Sequence, residues 1–252
     1  LKLLSWARPL LLIAVLLGVW QLLVMRHPGG LLPGPWGVGL GLGDLLQHGL
    51  LFKYVIASLF RVTWGYGLAV VLAIPLGMVI GWYSRAEMAF NPLIQILRPI
   101  SPLAWIPIAI LWFGVGDLSA IFLIFLGSFF PLLLTSMNAV RGVPAIYINA
   151  GRNFGLRPAQ LLYRVLYPAT LPQIIVGLRI TLGVAWLVVV AAEMIAVNSG
   201  LGFLIVDARN AGNRYDLVIA GILLIGIIGL SLDQGIRSLE RLGLARWSYL
   251  EK

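Results

Sequence analysis

Six stretches of this chain, approximately residues 8–25, 60–83, 92–113, 118–140, 173–197 and 217–236, carry no more than two charged residues each. An α-helix needs about 20 apolar residues to cross the hydrocarbon core of a bilayer, so each stretch is long enough to span it. A soluble fold of 252 residues could not hide 60% hydrophobic residues behind 11% charged ones, because its exterior must be wetted. A mean hydropathy of +0.98 points the same way. The pattern predicts an all-α integral membrane protein with about six transmembrane helices and a single domain over residues 1–252.

The first stretch follows a charged start (Lys2, Arg8) and resembles a signal peptide. It lacks a small-x-small cleavage pattern and is expected to be a retained helix. The third contains Pro92, Pro99, Pro102 and Pro107. Each proline removes a backbone donor, so this span is expected to be kinked or broken and buried among other helices. Gly65, Ala69, Ala73, Gly77 and Gly81 put small residues on one face of the second span. Such a face permits close helix approach, either within the chain or between subunits. Residues 44–57 read as a short amphipathic helix in the outer interface.

Lysine and arginine fix the orientation. With the N-terminus inside, the cytoplasmic pieces hold Lys2, Arg8, Arg85, Arg141, Arg152, Arg157, Arg164, Arg237, Arg241, Arg246 and Lys252, which is eleven. The outer pieces hold Arg26, Lys53, Arg61, Arg209 and Arg214, which is five. Both termini are therefore expected in the cytoplasm. The same distribution accounts for most of the net charge of +9 without nucleic acid.

Several chemistries are excluded or disfavoured. Cysteine is absent, so there is no thiol nucleophile or sulfur metal site. The two histidines, His27 and His48, both fall in the first loop region and make a poor metal site. A phosphate-binding loop needs Gly-x-x-x-x-Gly-Lys-Ser/Thr. The lysines Lys2, Lys53 and Lys252 do not follow a glycine, so no ATP hydrolysis is expected of this chain.

Residues 141–172 break the apolar pattern with four arginines and no acid. Pro144 and Pro158 suit the first turns of two helices. Gly155 falls between them, where a helix ends in a left-handed residue. Pro168 and Pro172 are expected to stop the second piece before the next span. Two short helices at an angle, presenting arginines, make a docking surface for a soluble partner; the alternative is a basic loop lying on anionic lipid headgroups.

This segment resembles the cytoplasmic "EAA" loop of bacterial ABC importer permeases: EAA, three residues, Gly, nine residues, then I-x-L-P. Asn149-Ala150-Gly151 stands at EAA, Gly155 at the glycine, Val165 at the isoleucine, Tyr167 at the leucine and Pro168 at the proline. Asn149, Gly151 and Tyr167 depart from the pattern. The resemblance covers about residues 55–240 and includes Arg98–Pro107 (RPISPLAWIP), Trp112–Asp117 (WFGVGD), Gly177–Trp186 (GLRITLGVAW), Ala191-Ala192-Glu193 and Gly200–Phe203 (GLGF). These segments are similar to the permeases for nitrate, taurine, alkanesulfonates and bicarbonate.

The resemblance implies a type I importer permease fold in the bacterial inner membrane, working as a homodimer. It also implies partners: a cytoplasmic ATPase that binds ATP and Mg, and a periplasmic or lipid-anchored binding protein. Asn149, Ala150, Gly151, Gly155 and Pro168 then shape a coupling loop, and Arg152 and Arg157 are the expected polar contacts with the ATPase. A self-sufficient secondary transporter or channel is the alternative. It would call for inverted repeats and mid-membrane ion ligands.

Ionisable residues inside spans are candidates for the substrate path. For an anion, Arg179 could serve as a counter-charge and Glu193 as a repelling or gating group. Equally, Glu193 could pair with a neighbouring helix. Ser101, Trp105, Asn138 and Trp186 complete the candidate path, although most such tryptophans pack or anchor at interfaces.

Overall fold

The structure, a computed structural model, describes residues 2–26, 32–210 and 212–241, and side chains over 11–26, 32–210 and 212–238. His27, Arg246 and Lys252 lie outside the described residues, as do the side chains of Lys2, Arg8 and Arg241. Among the described residues every regular element is helical. In chain order these are α1 (Lys2–Arg26), α2 (Pro35–Gln47), α3 (Leu50–Trp82), α4 (Ser84–Leu97) and, after a 3-10 turn at Pro102–Trp105, α5 (Ile106–Phe113). There follow α6 (Asp117–Arg141), α7 (Ala145–Asn153), α8 (Pro158–Leu161), a π turn at Leu162–Leu166, α9 (Tyr167–Glu193), α10 (Leu201–Asn210) and α11 (Tyr215–Arg241).

Among the described residues four helices are long and apolar enough to cross a membrane: Leu50–Trp82, Asp117–Arg141, the run Pro158–Glu193 and Tyr215–Ser238. The bent pair α4 and α5 makes a fifth if counted as one span. The first expected span is α1, whose described apolar part, Leu11–Arg26, falls short of that length.

The small-residue face of α3 turns inward within the chain, onto α6. A methyl group at Gly77 would lie 2.5 Å from the Leu133 carbonyl oxygen, and one at Gly81 would lie 2.7 Å from that of Met137. Two helices can lie this close in lipid only where side chains are missing. The main apolar core joins α3, α5, α6, α9 and α10 through Val62, Ala109, Leu123, Val189 and Leu201.

Three expectations need correction. Residues 44–57 are not one helix: α2 ends at Gln47, Gly49 takes φ +67°, and α3 begins at Leu50. The third span is broken as expected, with an 83° bend between its halves, but only its α5 half reaches the core, through Ile106 and Ala109; the α4 half is largely exposed within this chain. Met88 is 70% and Ile96 67% exposed, and of α4 only Ile94 is buried. Pro168 and Pro172 do not stop the helix. The chain stays helical from Pro158 to Glu193, with Pro168 just after a π turn and Pro172 inside α9. The wider π turn just before it adjusts the backbone locally.

Candidate functional site

The segment from Gly142 to Leu166 forms an elbow at one end of the bundle. Pro144 opens α7 from an extended conformation, and Pro158 is the first residue of α8. The Arg157 N–H donates to Gln160 Oε1 at 2.9 Å and closes the start of α8. Between the helices, Gly155 takes φ +73°, a left-handed conformation that side chains resist. Gly151 is needed for space instead: a methyl group there would meet Leu161 Cδ2 at 2.6 Å. Asn149, Ala150, Arg152, Arg157, Arg164 and Pro168 are all exposed. Phe154, which the sequence reading passed over, is 86% exposed at the tip. The elbow therefore shows solvent a basic, partly aromatic surface on a backbone fixed by two glycines.

At the opposite end of the bundle, α3, α6, α9 and α10 meet around two buried ions. Arg61 is 1% and Glu193 0% exposed. Arg61 Nη1 donates to Glu193 Oε1 at 2.7 Å and to the Ser199 carbonyl at 2.7 Å. Its Nη2 donates to Ser199 Oγ, and its Nε to Asp117 Oδ1 at 2.8 Å. Glu193 Oε2 accepts from Ser58 Oγ and from the Gly202 N–H, both at 2.9 Å. Ser58 Oγ in turn accepts from the Leu201 N–H at 2.9 Å. Every polar group in this buried cluster has a partner, the condition under which such ions are tolerated.

Gly200 and Gly202 wrap the carboxylate. A methyl group at Gly200 would come 2.3 Å from Glu193 Cδ, and its φ is +105°. Arg61 thus lies inside α3 and is not an outer loop charge. Without it, the charge count moves from eleven against five to eleven against four. The sequence held one clue to this pairing, since an acid deep in an apolar stretch requires a cation, and Arg61 edges a neighbouring stretch.

The remaining path candidates fall in separate places. Arg179 Nε donates to Asp233 Oδ1 at 2.5 Å, and Arg237 lies 3.2 Å from Asp233 Oδ2. Trp186 is buried and donates from Nε1 to the Ile225 carbonyl at 3.0 Å. Arg179, Trp186 and Asp233 line a cavity of about 200 Å³ between α9 and α11. Ser101 is exposed at the break of the bent span, where its Oγ accepts from the Leu103 N–H, and Trp105 is half-buried nearby. Asn138 is exposed near the elbow end of α6.

Residues 73–242 match the family described as "Binding-protein-dependent transport system inner membrane component". The nitrate import permease protein NrtB of Synechocystis sp. is 39% identical over 93% of this chain and 88% of its own length. The taurine transport system permease protein TauC of Escherichia coli is 39% identical over 76% of this chain and 69% of its own. Among solved structures, a chain of the MetNI methionine ABC transporter, in an inward facing conformation, superimposes with a TM-score of 0.62. It covers 75% of this chain and 95% of its own at 21% identity, a likeness of fold.

Proposed function

The chain belongs to the family of binding-protein-dependent transport system inner membrane components, and from that premise we propose that it is the non-catalytic permease of an ATP-driven importer for a small oxyanion. Its helical fold is that of a type I importer permease. In this reading nitrate, bicarbonate, taurine or another sulfonate crosses a pathway formed by two copies of the chain. A binding protein delivers the solute from outside. A separate ATPase, holding ATP and Mg, docks on the elbow from the cytoplasm, where both termini also lie.

The observation that carries the reading is the elbow itself. It is an exposed pair of short helices, the second of which opens the helical run to Glu193. Its backbone turns at Gly155 and packs closely at Gly151. Between Arg141 and Pro172 it carries arginines and no acid. Such an element can be gripped by a soluble partner and moved between two positions. Asn149, Ala150 and Pro168 shape it, while Arg152 and Arg157 make polar contacts with the ATPase.

The test is purification of the tagged chain in mild detergent, followed by identification of co-purifying proteins and an ATP hydrolysis assay. The expected result is an ATPase that accompanies the wild-type chain and is lost from Gly155→Glu. A chain that runs alone and moves solute without ATP would overturn the reading and leave a secondary transporter or channel.

A further inference from the structure

Helix α4 is loosely held. One extended residue, Tyr83 (φ −101°, ψ 106°), separates it from α3, and the 83° bend separates it from α5. Ile94 is its only buried residue, packed among Ala73, Ile80, Leu132, Leu133 and Met137. A helix pinned near its C-terminal end and hinged at both ends is free to swing at its N-terminal end unless something fixes that end. Glu87 does so: it forms an ion pair with Arg141 of α6, the one ion pair that α4 makes among the described residues.

The placement of this pair is specific. Glu87 is the only acid between Asp44 and Asp117 in the sequence, and it stands in the first turn of α4. Arg141 stands in the last turn of α6, directly before Gly142, where the elbow begins. Each charge sits at the helix end whose dipole favours it, so the pair joins a positive helix pole to a negative one. Both side chains are partly exposed, at 28% and 38%. A pair of that kind shifts an equilibrium by about two- to fivefold. It is therefore weak enough to break and re-form within a transport cycle while still setting which arrangement dominates at rest.

We propose that Glu87 and Arg141 are positioning residues for coupling: their ion pair ties the elbow to the broken span, so that movement of the elbow releases or recaptures the N-terminal end of α4. The proposal rests on the coupling reading above, and its primary test does not need the ATPase. The chain has no cysteine, so spin labels can be placed at Met88→Cys and Ile146→Cys, both at exposed positions. Distances between the labels would be measured by pulsed electron paramagnetic resonance on the full chain in nanodiscs.

With the labelled chain diluted into an excess of unlabelled chain, so that a two-copy assembly carries one labelled copy, wild type is expected to give one dominant distance. Glu87→Arg and Arg141→Glu should each broaden or shift it, and the double exchange Glu87→Arg/Arg141→Glu should return most of it. Return is partial because the exchanged charges face unfavourable helix poles. Glu87→Ala and Arg141→Ala give the milder version should either reversal fail to fold. In the complex with the co-purified ATPase, the single variants should raise basal ATP hydrolysis about two- to fivefold, matching the size of the lost bias. Unchanged distances in the folded single variants, or a double exchange no nearer wild type than either single, would overturn the proposal. Failure of any ATPase to accompany the wild-type chain would instead count against the importer reading, while the distances would still decide whether the tie exists.

Discussion

The Glu193 carboxylate is held by Ser58, Arg61 and the Gly202 backbone, and its burial sets the penalty for losing any of them. Replacing Arg61 by methionine leaves a buried acid without its cation, which costs about 3–5 kcal/mol. The expected outcome is a sharply lower unfolding midpoint in detergent for Arg61→Met. The double variant Arg61→Met/Glu193→Leu should regain much of it, because removing both charges is far milder than removing one. Gly200→Ala should also destabilise the protein, since the new methyl group would meet Glu193 Cδ at 2.3 Å on a backbone with φ +105°; the same thermal scan tests it. Glu193 was legible in the sequence as an acid within an apolar stretch. Its partner was not, because the two lie 132 residues apart and no local periodicity connects them. Arg179 shows the converse: a cation expected as a counter-charge for a solute proves to be bound to Asp233 of α11.

Among the elements, the elbow divides its demands between two glycines, and the division can be measured. Gly155 has nothing within 4 Å of a would-be side chain, so its constraint is conformational alone. Gly155→Asn should be tolerated and Gly155→Val should not, because asparagine accepts left-handed backbone and a β-branched residue resists it. Gly151→Leu should fail for lack of room, as Leu161 Cδ2 already stands 2.6 Å from its Cβ position. Retention of the ATPase during purification distinguishes these variants. The two helix starts at Pro144 and Pro158, and the turn at Gly155, were readable because each rests on local backbone rules. The continuation through Pro168 and Pro172 was not readable. Proline removes donors but cannot reveal that a π turn will precede it. The small-residue face of α3 was recognisable from its spacing, yet spacing alone could not say whether α6 or another subunit would meet it.

For the molecule as a whole, the placement of arginines predicts an orientation with the elbow on the cytoplasmic side. The absence of cysteine makes this directly testable. Single substitutions at Tyr147 in α7 and Asp207 in α10, both exposed, should react with a membrane-impermeant thiol reagent from opposite sides of sealed vesicles. Labelling of Tyr147→Cys from the periplasmic side would reverse the orientation. The bend within the third span was readable from its prolines, but the exposed faces of α4 were not, since composition marks a residue as apolar without saying what covers it. One further consequence lies in the unbroken run from Pro158 to Glu193, which is 36 residues long. At about 1.5 Å per residue it is a connecting rod of roughly 54 Å. A rod of that length tilted by about 10° around its midpoint carries each tip roughly 5 Å in opposite directions. On the proposed coupling reading, a push at the elbow would arrive at the ion cluster at the opposite end of the bundle with its sense reversed and with no slack loop along the way to absorb it.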